Sequence, residues 1–214
     1  MLEAQPAMPS YKQARLWKNE DSFDRLQQVH RFARVVFGYH GCHAAFANDL
    51  FLNEGAIAEW KESNKPYDWL GRGIYFWEHS PERARQWARD RHGDAGAVVG
   101  AVLQLGSCFD LMDIASTRML VDAYTRVREE KRAAGSQLPT NAGGDRDLKK
   151  RLLDCRIINA CLEIADQSFQ TVRAAFWEGP DIYEGAMIRE QSHIQIAVRD
   201  RACILGIFRP TLLS

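Results

Sequence analysis

The chain has 214 residues, 46% of them hydrophobic and 26% charged, which is the make-up of an ordinary globular protein with enough length to bury a core. Lys plus Arg and Asp plus Glu both number 28, so the formal charge is zero and no broad electrostatic grip on nucleic acid or membrane is implied. Five scattered cysteines without C-x-x-C spacing read as buried thiols rather than a zinc site, and no run of about 18 apolar residues signals a membrane span.

The N-terminal stretch carries no apolar signal segment, which predicts a cytoplasmic protein with no membrane contact. Phe23, Leu26, Val29 and Phe32 fall at helical spacing behind Ser22 as an N-cap, so a helix is expected there after a loose lead-in over residues 1–20. "RVVFGYHGC" reads as a strand, "HAAFANDLFLNEG" and its continuation as one or two helices, "SNKPYD" as a turn and "GIYFWE" as a short strand. "SPERARQWARDRHG" opens with Ser80 as cap and Pro81 at the first helical position, and its helix should end near Gly93. "AGAVVGAVLQLGSCFDLMD" is a long apolar strand or strand pair.

After Asp113 the character changes. Two strongly helical stretches flank the polar "SQLPTNAGG", so residues 114–167 read as a helical insertion in a single domain, with 21–113 and 168–210 as its core. The strand "QTVRAAFWEG", an acidic loop over 178–192 and the strands "HIQIAVRD" and "ACILGIFRP" follow. Strands on both sides of a helical block favour an α+β fold over a doubly wound sheet. No Gly-rich loop leads from a strand into a helix at phosphate-binding spacing.

Three stretches draw attention together: "GYHGC" with His40 and Gly41, "GRGIYF" with Gly71, Gly73 and Tyr75, and the loop "EGPDIYEGAMIREQS" with Glu178, Asp181, Glu184 and Glu190. Singly, each has an ordinary structural explanation. Glycine beside an aromatic strand marks a special dihedral or a close approach, and the approaching object is either another strand or a flat ligand. A metal site on His40, Cys42 and His43 is disfavoured, because His43 points away from the other two on a strand and no second ligand pair is present.

In this order the stretches resemble the ADP-ribosyltransferase family, in its diphtheria-toxin and poly(ADP-ribose) polymerase branch, and are similar to a bacterial group with that presumed fold. "HGC" and "GRGIYF" carry the likeness, which spans residues 35–110 and 170–208. It implies split antiparallel β-sheets around an NAD+ cleft, with NAD+ as co-substrate and no metal. His40 would bind the adenine-side ribose, the Gly41 backbone would read the nicotinamide carboxamide, and Gly73 and Tyr75 would pass against the nicotinamide ring. Trp87 would supply the second aromatic wall, one position later than the family places it.

The family's catalytic glutamate, at the start of the last central strand, is replaced here by His193 or Ile194. Alternation puts His193, Gln195 and Ala197 on one face of that strand and Ile194, Ile196 and Val198 on the other. Glu190, the nearest acid upstream, is therefore expected to stabilise the oxocarbenium-like transition state, ahead of Glu184 and Glu178, with Gln195 lining the cleft. The missing strand glutamate disfavours polymer synthesis. The resemblance thus implies a mono-ADP-ribosyltransferase acting on a macromolecular acceptor, protein or nucleic acid, in the manner of a bacterial toxin or defence effector with an antitoxin or cognate inhibitor. An NAD+ glycohydrolase and a non-catalytic NAD+- or ADP-ribose-binding module stand as alternatives. Basic residues in "REEKRAAG" and "DLKKRLLD" read as a solvated face.

Overall fold

The computed structural model describes residues 34–53, 55–144 and 146–211; the helix expected around Phe23–Phe32 lies outside them. In chain order the elements are β1 (Val35–His43), α1 (Ala44–Leu52), α2 (Ala56–Glu59), β2 (Ile74–Glu78), α3 (Pro81–His92), β3 (Gly96–Gln104) and β4 (Cys108–Asp110). Then come α4 (Ile114–Ala133), α5 (Leu152–Ile164), β5 (Thr171–Phe176), β6 (His193–Val198) and β7 (Ile204–Phe208). Pro81 opens α3 and Gly93, at φ 58°, closes it, but Ser80 makes no side-chain cap bond; α4 instead is capped by Asp113, which accepts from Ala115 N–H at 2.9 Å.

The protein is α+β, with one mixed seven-stranded sheet in the order β4-β5-β6-β2-β1-β3-β7 and five α-helices among the described residues. Every neighbouring pair is antiparallel except β4 with β5. The sequence predicts separated sheets; the strands form a single one, because β1 and β2 do pair. That seam is short. Gly38 opposes Glu78 and Tyr39 opposes Trp77, whereas β1 and β3 pair over nine positions.

Strand alternation divides the core in two. One face carries Val36, Phe76, Val99, Ala101, Leu103, Ile196 and Val198 and packs under Ala47 and Leu50 of α1 and Ala56 of α2. The other carries Val172, Ala174 and Ala197 and packs under Ala123 and Val127 of α4 and Ile157, Ile158 and Cys161 of α5, with Tyr75 at its margin. The helical stretch after Asp113 therefore shares its apolar side with β5 and β6. Where β1 and β3 run under α3, Ala84 and Ala88 are buried against glycine: a Cβ on Gly41 would lie 2.5 Å from Ala84 O and 3.1 Å from a Trp87 ring carbon. Only a residue with no side chain lets α3 come this close.

A buried cation locks the four-stranded half. Arg173 of β5 reaches over β6 to grip Glu78 at 2.6 and 2.9 Å and also meets Asp110 of β4 at 3.1 Å. The hydrogen bonds that Arg173 donates to Glu78 come first in raising the arginine's pKa, against the opposing effect of burial. Among the described residues no helix is long and apolar enough to cross a membrane.

Candidate functional site

The three stretches, up to about 150 residues apart in sequence, meet on adjacent strands: β6, β2 and β1 lie side by side, with β2 in the middle. Register decides which side chains meet. Trp77 opposes both Tyr39 and Gln195, and Tyr75 opposes Ala197. Gly41, Tyr75, Trp77, His193 and Gln195 therefore share the face that α3 covers, and the alternation read from "HIQIAV" holds.

On that face a polar cluster is walled by aromatic rings. The His193 ring lies 6.1 Å from Trp69, nearly parallel to it, 5.8 Å from Phe176 and 6.3 Å from Trp77. Trp87 of α3 comes to 5.9 Å from Trp77, and the Arg83 guanidinium sits 5.5 Å over the Trp77 ring. His193 Nδ1 lies 2.7 Å from the Gln191 carbonyl, a contact that requires Nδ1 to carry the hydrogen. Burial lowers the His193 pKa, against the Gln191 carbonyl and Glu178, which raise it. The ring is therefore neutral at pH 7, with a bare lone pair on Nε2.

Five buried polar atoms in this cluster have no partner among the described residues: Trp77 Nε1, Arg83 Nε, His193 Nε2, Gln195 Oε1 and the Nε of Arg151, whose guanidinium lies 4.7 Å over the Trp69 ring. They comprise three donors and two acceptors. A buried polar atom left unpaired costs about 1–3 kcal/mol, so such a group marks where water or a ligand is to be hydrogen-bonded. Its chemistry suits a carboxamide, which offers one acceptor and two donors on one flat group.

The carboxylate nearest this cluster is Glu178. It is 2% exposed and bonds Arg83 Nη2 at 2.6 Å, with Lys149 Nζ at 3.6 Å and His193 Nδ1 at 3.7 Å. Glu190 and Glu184 are exposed. The loop between β5 and β6 folds back on itself. Glu190 N–H donates to Pro180 O, Gln191 N–H donates to Glu178 O, and Asp181 bridges to Arg189. Glu178 thereby reaches the start of β6, although it lies 15 residues ahead of His193 in sequence.

His40 points to the opposite face. Its Nδ1 meets the Tyr75 carbonyl at 2.7 Å, and its ring packs against Trp60, Phe76 and Phe46 with centroids 4.9, 5.8 and 6.4 Å away. The structure thus joins His40 to the Tyr75 backbone and not to the Tyr75 ring, because β1 and β2 hold these residues out of phase by one position. The Tyr75 hydroxyl donates to Gly71 O at 2.6 Å and accepts from Leu70 N–H at 2.9 Å, so it pins the turn before its own strand.

The approach that the two glycines permit is protein. Gly71, at φ 73°, lies where a Cβ would run into Asn159 Oδ1 of α5, and a Cβ on Gly73 would lie 3.0 Å from Ala197 Cβ of β6. Of the residues expected around a flat ligand, Gly41, Tyr75, Trp87, His193 and Gln195 come to one face; His40, Gly73 and Glu190 do not join the cluster. Trp77, Arg83 and Glu178 complete it. Trp77 was legible as the residue two positions after Tyr75 on the same strand face, and Arg83 as the residue one helical turn before Trp87.

His40 gives a pH prediction. Desolvation lowers its pKa to about 4, against the Tyr75 carbonyl, which raises it. The unfolded chain takes up this proton near pH 6.5 and the folded chain only near 4. Stability from neutral His40 is complete above pH 6.5 and is lost as the pH falls toward 4. The loss is about 2–3 kcal/mol, given the ring's partial exposure. Urea midpoints at pH 7.5 and 4.5 should differ less in His40→Gln than in wild type; equal differences would refute the assignment.

No protein-family model matches the chain, and no curated protein matches it either.

Proposed function

We propose that this protein binds NAD+ on the α3 side of β2 and β6, breaks the nicotinamide–ribose bond and transfers ADP-ribose as a single unit to a macromolecular acceptor. The observation that carries the reading is the aromatic-walled cluster of Trp77, Arg83, His193 and Gln195, whose unpartnered donors and acceptors can complement those of a carboxamide. The cluster adjoins two of the stretches that resemble the ADP-ribosyltransferase motifs, Trp77 following "GRGIYF" on β2 and His193 following the loop over 178–192 on β6, and the two-pair β1–β2 seam is the place for the split between sheets which that fold would have.

NAD+ brings the scissile glycosidic bond and, at the transition state, positive charge on the ribose. Trp77 N–H donates to the carboxamide oxygen, while Gln195 Oε1 and His193 Nε2 accept from its nitrogen. Trp87 gives the ring an aromatic face, and a stacked pair contributes about 0.5–1.5 kcal/mol beyond burial. Glu178 takes the electrostatic role that sequence order gives to Glu190, since it is the acid that stands beside His193. Arg83 holds that carboxylate in place.

The Arg83–Glu178 ion pair at 2.6 Å also favours a second reading, a binding module without turnover, because a carboxylate already paired with a guanidinium offers less charge to a ribose. Nicotinamide release separates the two. Transfer and hydrolysis are separated by incubating a bacterial lysate with the protein and a tagged NAD+, then treating portions with protease or nuclease. Label lost to one enzyme identifies the acceptor class, and release of nicotinamide with no labelled macromolecule identifies a glycohydrolase. A toxin or defence role, with a cognate inhibitor as partner, follows if expression without that inhibitor arrests growth and His193→Ala relieves the arrest.

A further inference from the structure

Away from that site a cavity of about 830 Å³ opens where residues 64–72 meet α4 and α5. Its lining includes four cations, Arg72, Lys131, Arg156 and Arg199, against one carboxylate, Glu163. In a chain whose charges cancel overall, this is a local concentration of positive charge. Arg72 is answered by Glu62 at 3.2 Å, but among the described residues no carboxylate lies within 4 Å of Arg199, Arg156 or Lys131.

Arg199 is the telling member. It is half-buried, and among the described residues its Nη1 donates only to the Arg72 carbonyl at 3.3 Å and Asn159 Oδ1 at 3.5 Å. Burial first and the neighbouring Arg72 second disfavour its charge, with Glu62 and Glu163 opposing. A guanidinium held partly out of water beside a second guanidinium is stabilised by an anion that both can reach. Asn159 fixes one wall by accepting from Arg72 N–H at 3.1 Å, and Pro66, Pro139 and Leu152 give the cavity an apolar side.

We propose that this cavity binds an oligophosphate group, of the kind carried by nucleoside di- and triphosphates, at a site separate from the Trp77–His193 cluster. Planar guanidinium forks suit phosphate oxygens, and the volume is that of a nucleotide-sized site. The cavity's floor is the turn of Gly71 and Arg72, which precedes β2, and its roof is the helical stretch that has no part in the family resemblance.

The test is calorimetric titration of the purified chain, without NAD+, in low-salt buffer, using sodium tripolyphosphate in one arm and ATP in the other. Saturable one-to-one binding is expected, weakened about tenfold by Arg156→Gln and by Arg199→Gln and unchanged by Arg126→Gln on the exposed side of α4. Arg156 is exposed, so its variant folds whatever Arg199→Gln does. Tighter binding of ATP than of tripolyphosphate assigns a nucleotide, and equal binding assigns the phosphate chain alone; either supports the site. Absence of saturable binding, or binding indifferent to both arginines, overturns it.

Discussion

Glu178→Gln is expected to slow nicotinamide release by about 100–1000-fold while leaving NAD+ affinity nearly unchanged, the size and pattern of losing one preorganised charge that acts mainly at the transition state. Glu190→Gln, in exposed loop, is expected to be silent. The same Glu178 substitution removes half of a buried ion pair whose side chains are 3% and 12% exposed. The glutamine oxygen still accepts from Arg83, so the stability cost should be about 1–3 kcal/mol rather than that of a stranded charge. Urea unfolding measures that cost, and rates per folded molecule measure the chemistry. If the folded variant turns over at the wild-type rate, Glu178 is only a strut for the loop over 178–192.

Gly41→Ala is expected to destabilise the protein by about 1–3 kcal/mol and Gly41→Val by more, because the added Cβ lands 2.5 Å from a backbone oxygen of α3. A side chain would turn aside, but Ala84 O is part of the helix and β1 is pinned to β3 over nine positions. The whole helix has to lift. Arg83 and Trp87 lift with it, so nicotinamide release should fall even in variant molecules that remain folded. Gly55→Ala is the control: a Cβ there meets nothing within 4 Å and its φ of −81° suits alanine, so the substitution should be neutral or slightly stabilising. Equal stability of Gly41→Ala and wild type would show that α3 is not pressed against β1.

Local signals carried far in this chain. Pro81 and Gly93 bracket α3, the strands over 35–43, 74–78 and 193–198 fall where β-branched and aromatic residues cluster, and the face pattern of His193, Gln195 and Ala197 follows from alternation alone. What did not follow was everything set by register between strands. The resemblance places His40 in one pocket with Tyr75 and Trp87, yet the pairing of Gly38 with Glu78 puts the His40 and Tyr75 side chains on opposite faces. A single-residue shift would have reversed that, and nothing in either strand's own sequence specifies it.

Chain order favours Glu190 among the loop carboxylates, but the loop doubles back, and the hydrogen bond from Gln191 N–H to Glu178 O makes the first residue of the loop the spatial neighbour of the last but one. The glycines before β2, which the resemblance gives to a ligand, give clearance to Asn159 and Ala197, contacts that exist only once α5 and β6 are packed.

The proposed breakage of the nicotinamide–ribose bond is read out by measuring free nicotinamide chromatographically after purified protein is incubated with NAD+ and a bacterial lysate as acceptor. Wild type and Glu190→Gln should release nicotinamide in proportion to enzyme and time, with Glu178→Gln lower by about 100-fold or more. No release above the lysate alone from folded wild-type protein would rule out cleavage by this chain, and saturable NAD+ binding in that same sample would leave a binding module in its place.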